Sequence, residues 1–421
     1  IRAMSFSRLS IRAEAHARTP RVATAVLLAV AQFPDEESGR YPRSYSNAQS
    51  ILVFTCTRLA LGLHRAARKR IRRKTRTMPV DATAGWRFSD QQKRWIFIEA
   101  SPDATVLDHP LRLATFNCLH DLAQDEVLQH AIRHDAICKE LAALDADVIG
   151  LNEVTSLLLE RVLQEEWVRS RYTVSAVPDD GRCSHLSFLS GSFGNILLSR
   201  IAPEAVEYID QPGDGRHNHV MMLSLRAPRG GPPIQLAVCS AHLTACPWLM
   251  EGRRKKQLEH LTSTLEARAA LDACVVMGDY NFHREAENGS IPAGWCEVPA
   301  VVALGETWDF GRNSMLAHYL PIRNIYNGLG LGTSVAWPSP MRLDRVLVHG
   351  TALDCGVEVA TARLFADQPI HERARGRPPL PHTGPELREA HRALPWQEYL
   401  FQSDHFGICV ELPLCGTGRG M

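Results

Sequence analysis

Six short apolar runs of this 421-residue chain each stop at, open beside or contain an Asn, Asp, Glu or His. The run 111–116 alternates apolar and polar residues and ends at Asn117, and 147–151 runs into Asn152 and Glu153. The run 235–241 ends at His242, and 274–277 passes through Gly278 into Asp279, Tyr280 and Asn281. Asp344 sits within the run 342–348, and Asp404 and His405 open the run 405–412. One Asp or Asn after a strand is ordinarily a turn or cap residue. Six acid, amide or imidazole positions in succession are better explained by loops converging on one point, because ligands of layered α/β folds bind at strand ends.

Between these runs the hydrophobic period changes. Val127, Leu128, Ala131, Ile132, Ile137, Leu141 and Leu144 follow helical spacing over 124–145, and a second amphipathic helix is predicted over about 251–271. Strands at 194–198 and 219–225 complete an alternation of strands and helices that predicts an α/β core around a mixed sheet. The tripeptide His217-Asn218-His219 reads as the lead-in to a strand rather than as a nuclease signature.

The donor types point to a hard cation. Carboxylates and amide oxygens suit Mg²⁺ or Mn²⁺, whereas no Cys-x-x-Cys or paired histidines favour zinc. His242 and His405 then face a phosphate rather than the metal. The chain has 11 cysteines without recognisable spacing, which excludes a fully paired disulfide set and predicts buried thiols in an intracellular protein.

The succession Thr115-Phe116-Asn117, Leu151-Asn152-Glu153-Val154, Ser240-Ala241-His242-Leu243, Met277-Gly278-Asp279-Tyr280-Asn281, Leu343-Asp344-Arg345-Val346 and Ser403-Asp404-His405-Phe406-Gly407 resembles the motif series of the endonuclease/exonuclease/phosphatase superfamily, in that family's order. The resemblance implies a DNase I-like α/β fold, a four-layer sandwich of two packed mixed β-sheets flanked by helices, over residues 111–413. It implies Mg²⁺, with Mn²⁺ as the alternative, bound by Glu153 with help from Asn117 and, directly or through water, Asp404. Asp279 would orient and deprotonate the attacking water, and Asn281 would hold a phosphate oxygen. His242 and His405 would donate to the charge that builds on the phosphate, with Asp344 fixing the tautomer of His405. Such chemistry consists of positioning an in-line nucleophile and neutralising phosphoryl oxygens.

Within the superfamily the chain is most similar to the 5′-tyrosyl-DNA phosphodiesterase branch. The similarity is carried by 278–285, by Thr307-Trp308-Asp309 followed by Asn313, and by His242-Leu243 followed by Arg253, Arg254 and Gln257. An exposed Trp308 would stack on a nucleotide, the alternative being a packing tryptophan. Leu119 stands where the branch has Asp, Asn152 where it has Gln, and Ala245 where it has Ser. His283 stands where it has Arg, with Arg284 adjacent as a substrate-binding candidate. A tyrosine leaving group, with a pKa of about 10, needs little general-acid help. Alternative substrates are those of a deadenylase-like RNA nuclease or a sphingomyelinase-like lipid hydrolase, and a third reading is a catalytically inactive binding module. Glu153, Asp279 and His405, all in place, favour an enzyme, and the body shows no membrane-attaching segment.

Charge divides the chain. Lys and Arg (47) nearly balance Asp and Glu (46), but residues 1–80 hold 16 of the basic and four of the acidic side chains, leaving an acidic body. Eight of the twelve positions 65–76 are basic, which suggests a nuclear import signal or a nucleic-acid patch; mitochondrial and cytoplasmic locations stay open. An acidic body disfavours tight duplex binding, which depends on Lys and Arg displacing counterions. It suits a monomer that grips DNA or RNA ends. The expected organisation is a tail at 1–80, a lead-in at 81–110, the catalytic domain at 111–413 with a Pro-rich insert at 368–395, and a terminal tail at 414–421.

Overall fold

The computed structural model describes residues 84–100, 103–121, 129–178, 193–213, 216–227, 231–245, 250–309, 312–313, 340–350, 353–372 and 399–414. The basic tail 1–80 with its run 65–76, residues 122–128 of the first expected helix, most of the insert (373–395) and residues 415–421 lie outside these.

The strands in chain order are β1 (Trp86–Ser89), β2 (Arg94–Phe97), β3 (Thr105–Val106), β4 (Leu111–Asn117), β5 (Val148–Val154), β6 (Thr173–Val174), β7 (Gly194–Ser199), β8 (Ala205–Asp210) and β9 (His217–Arg226). They continue as β10 (Ile234–His242), β11 (Ala273–Asp279), β12 (Cys296–Glu297), β13 (Asp344–His349), β14 (Thr361–Phe365), β15 (His371–Glu372), β16 (Tyr399–Leu400) and β17 (Gly407–Leu412). Among the described residues one sheet has the order β14-β17-β4-β5-β7-β6-β1-β2. The other runs β12-β13-β11-β10-β9-β3, with β8 also on β9. Both are mixed: β4 and β5 are parallel, as are β10 and β11, while their outer neighbours run antiparallel.

Period-two alternation sends neighbouring residues of each strand into different cores. Leu113 and Val148 point between the sheets, where they meet Met221, Leu223, Val238 and Val275. Ala114, Phe116, Ile149 and Leu151 point the other way, beneath α1 (His130–Leu144), α2 (Ser156–Gln164) and α3 (Glu166–Arg171). On the far face of the second sheet, Val220, Ala237, Cys239 and Val276 pack under Leu258, Leu261 and Leu265 of α4 (Glu251–Glu266). The result is four layers: helices, sheet, sheet, helix.

Register positions the site. The β10/β11 and β11/β13 pairings place His242, Asp279 and Asp344 side by side across three adjacent strands. In the facing sheet, β4 and β5 bring Asn117 beside Asn152.

Some details differ from the sequence reading. Asp344 is the first residue of its strand rather than an internal one, and α4 ends at Glu266, short of 271. Strands β1 to β3 of the lead-in join both sheets, β1 beside β6 and β3 beside β9. Among the described cysteines, Cys118, Cys138, Cys239, Cys274 and Cys409 are buried free thiols, and Cys296 is an exposed one. No helix among the described residues is long and apolar enough to cross a membrane.

Candidate active site

Glu153 lies near the end of β5 in a left-handed conformation (φ 56°), and Asn281 just beyond β11 does too (φ 51°). Non-glycine residues rarely adopt this region without compensating contacts, and such strain gathers at functional sites. Gly278 has φ +142°, and a Cβ there would sit 1.9 Å from the Ala241 carbonyl oxygen. Only glycine lets β11 approach β10 so closely beside the reacting residues.

Asp279 is the hub. Its Oδ2 accepts from Asn117 Nδ2 at 2.9 Å and from Asn281 Nδ2 at 3.0 Å, and its Oδ1 accepts from the Asn281 amide at 2.8 Å. His242 Nε2 lies 3.5 Å and His405 Nε2 3.9 Å from the same Oδ2. Asn152 Oδ1 accepts from the Asp279 amide at 3.0 Å, while its Nδ2 donates to Asn195 at 2.9 Å and Ser240 at 3.2 Å. This polar link crosses the space between the sheets and fixes Asp279 relative to Glu153, the neighbour of Asn152.

Glu153 divides its oxygens. Oε2 takes the His120 amide at 3.1 Å and the His120 imidazole, and Oε1 lies 3.3 Å from Asn117 Nδ2 and 3.7 Å from His242 Nε2. Burial alone would raise this carboxyl, but the His120 hydrogen bond and charge outweigh it and hold the group well below the usual carboxylate range.

Asp279 behaves oppositely. Burial, reinforced by the negative charge of Asp344 and opposed by His405, pushes its carboxyl up to about 7. His405 donates Nδ1–H to Asp344 Oδ2 at 2.8 Å. Burial would lower this imidazole, yet the charges of Asp344, Asp404 and Asp279 hold it well above the ordinary histidine value. The site therefore pairs an ionised carboxylate at Glu153 with a titrating one at Asp279, the division expected of a charge holder and a base.

The loop of Asp404 and His405 is tied down by neighbours. Ser403 Oγ donates to Asn117 O at 2.6 Å, and Asn313 Nδ2 donates to Ser403 O at 2.8 Å. Thr307 Oγ1 accepts from the amides of Leu343 and Asp344, and Thr307 O accepts from Phe406 N at 2.8 Å.

The structure thus brings together Asn117, Glu153, His242, Asp279, Asn281, Asp344 and His405. Asp404 is buried, and its charge acts on both His120 and His405. Trp308 is not an open stacking platform: it is 8 % exposed and its backbone bridges to Met341. Arg284 is exposed and pairs with Glu251 at 3.9 Å, whereas Arg254 is buried in a two-pronged pair with Glu287 at 2.7 and 2.9 Å. Sequence reasoning missed three contributors. His120 carried only its proximity to Asn117, and Asn195 and Arg216, whose Nη1 lies 2.9 Å from His242 Nδ1, carried no local signal.

The ligand atoms of Glu153, His242 and Asp279 lie within 4.8 Å of one another. Two of the three donors are carboxylate oxygens, with the Asn117 amide between them, a set that fits a hard divalent cation. As placed, Asn117 turns its nitrogen to the carboxylates and its oxygen to the Leu119 amide at 3.0 Å, so it steadies the carboxylates.

The model of the endonuclease/exonuclease/phosphatase family matches residues 114–405. Among solved structures the chain is similar to truncated TDP2 of Caenorhabditis elegans (16 % identity, TM-score 0.46, covering 72 % of this chain and 97 % of that one). It is also similar to Danio rerio TDP2 complexed with single-strand DNA product (18 %, 0.46, 72 % and 99 %). A third is an endonuclease/exonuclease/phosphatase family protein from Leptotrichia buccalis (14 %, 0.42, 72 % and 99 %). No curated protein sequence matches the chain. The family match, which spans every site residue from Asn117 to His405, shows that the chain belongs to the endonuclease/exonuclease/phosphatase family and is a metal-dependent hydrolase of phosphoric diesters.

Proposed function

We propose that this enzyme is a Mg²⁺-dependent phosphodiesterase that hydrolyses a phosphodiester at the end of a DNA or RNA strand, in the manner of a 5′-tyrosyl-DNA phosphodiesterase. The observation that carries the reading is the convergence of two amides and two imidazoles on Asp279 Oδ2, 2.9 to 3.9 Å away. The branch-specific resemblance is supported by its own residues: Thr307 and Asn313 hold the loops of Asp344 and His405.

Glu153, with Asp404 nearby, would hold the cation. Bound there, the metal would neutralise phosphoryl oxygens and the leaving oxygen. Asp279 accepts the proton of the attacking water, because burial and the Asp344 charge make its carboxylate more basic than an exposed one. Asn117 and Asn281 keep its oxygens aimed. His405, held positive by the Asp344 carboxylate, donates to the charge that develops on phosphorus-bound oxygen, and His242 donates from the opposite side. Residues 65–76 would serve import into the nucleus.

The test is hydrolysis by the full chain with added Mg²⁺ of 5′-tyrosyl DNA, poly(A) RNA, abasic duplex and sphingomyelin. Cleavage of the tyrosyl oligonucleotide is expected. Activity confined to lipid would refute the nucleic-acid reading.

A further inference from the structure

The two active-site histidines are held from behind by groups of opposite sign. His405 turns Nδ1 to the Asp344 carboxylate at 2.8 Å, and His242 turns Nδ1 to Arg216 Nη1 at 2.9 Å. A guanidinium carries five N–H donors, has no acceptor and does not lose its charge in proteins. Nδ1 of His242 is therefore the acceptor in this bond, and the ring proton sits on Nε2.

The arrangement is built. His242 is 1 % exposed, and the Arg216 guanidinium lies over the Phe193 ring at 5.5 Å. The same ring packs against the His242 imidazole, with centroids 5.7 Å apart. Gln211 Nε2 donates to His242 O at 2.8 Å while the Gln211 amide donates to Arg216 O at 2.9 Å. The turn that carries Arg216 is thus tied to the strand end that carries His242.

The consequence concerns metal coordination. By spacing alone, Glu153, His242 and Asp279 form a three-ligand cluster. A ring nitrogen that bears a proton has no lone pair to give to a metal. We propose that Arg216 is a positioning residue that fixes His242 as its Nε2–H tautomer, which excludes this imidazole from the metal's coordination and aims its proton at a phosphoryl oxygen. The identity of that acceptor rests on the phosphodiesterase reading, whereas the tautomer and the ligand set do not. The cation is then left to oxygen donors, a set that suits Mg²⁺ or Mn²⁺ rather than Zn²⁺.

Long-range proton–nitrogen correlation spectra of the full chain, labelled with nitrogen-15 histidine and assigned by His242→Gln, read the tautomer directly. The wild type is expected to show a protonated Nε2 and a bare Nδ1 at His242, unchanged when Mg²⁺ saturates the site. Arg216→Ala should populate the Nδ1–H form, and Arg216→Lys, which keeps a donor, should restore the wild-type pattern. An Nδ1–H ring in the wild type, loss of the Nε2 proton on adding Mg²⁺, or an unchanged tautomer in Arg216→Ala would each overturn the proposal. Mn²⁺ titration gives a second reading. Glu153→Gln should weaken binding by about 10- to 100-fold and His242→Gln by less than about twofold. An equal loss in both would make His242 a ligand and sink the idea. Neither measurement needs turnover, so inactivity toward nucleic-acid ends would overturn the functional reading and leave this one standing.

Discussion

Asn117 Nδ2 donates to Asp279 Oδ2 at 2.9 Å across the space between the two sheets. The amide steadies the proposed base from the side of the proposed metal carboxylate, since the same nitrogen lies 3.3 Å from Glu153 Oε1. Asn117→Ala is expected to lower kcat by about 100-fold, as loss of one positioned donor does. Its Mn²⁺ affinity should fall less than that of Glu153→Gln. Steady-state kinetics beside metal titration checks this; a metal-affinity loss equal to that of Glu153→Gln would make Asn117 chiefly a ligand.

The rate should follow the ionisation of Asp279. As a base it must be unprotonated, so kcat/KM should fall on the acid side as Asp279 takes up its proton, which burial favours in the metal-free site and a bound cation opposes. An acid limb that stays in place as Mg²⁺ is raised would contradict that role.

Stability should run the other way. Burial raises the Asp279 carboxyl, so between its unfolded value near 4 and about 7 the folded chain binds more protons than the unfolded one. The stabilisation is complete below the unfolded value and is lost as the pH climbs through about 7. His405, also raised, loses stabilising charge in the same direction at higher pH. Asp279→Asn should therefore flatten the decline of unfolding free energy with pH, which for one proton reaches at most about 1.4 kcal/mol per pH unit. Urea denaturation in chelator across this range provides the measurement, and an unchanged slope would count against the buried carboxyl.

The link between the sheets should be costly to break. Asn152→Ala leaves the buried Asp279 amide and Asn195 Oδ1 without the Asn152 side chain, at about 1–3 kcal/mol for each group. Chemical denaturation of the metal-free protein reads the loss; a change below about 0.5 kcal/mol would show that the link is dispensable.

Gly278→Ala should fail more severely. Its φ of +142° and the 1.9 Å approach to the Ala241 carbonyl oxygen force β10 and β11 apart where His242 and Asp279 sit side by side. Loss of both thermal stability and activity is expected, checked by calorimetry and hydrolysis assay. A variant that folds and works normally would show that the strands can separate there at little cost.

Much of the site was legible because its residues punctuate strands. A period-two run that stops at Asn117 or Asp279 displays both the strand and its functional end, and parallel pairing then levels His242 with Asp279. What stayed hidden depended on long-range placement. Arg216 reaches His242 where Gln211 bonds to the carbonyls of both residues, and nothing near residue 216 in the chain encodes that contact. Trp308 sits in a branch-like motif, but it is buried, and its backbone bridges to Met341, 33 positions on. The hairpin of β1 and β2 offers only two four-residue strands of half-exposed side chains, too short and too exposed for a clear hydrophobic period.

In the proposed reaction Glu153 and Asp279 carry metal-dependent hydrolysis of a phosphodiester. Its most direct measurement is the Mg²⁺-dependent cleavage of bis-p-nitrophenyl phosphate and of a 5′-tyrosyl oligonucleotide by the wild type, Glu153→Ala and Asp279→Ala, each shown to be folded. Wild-type activity that chelator abolishes and a loss of about a thousand-fold in each variant are expected. Near-normal rates in both variants would contradict these roles.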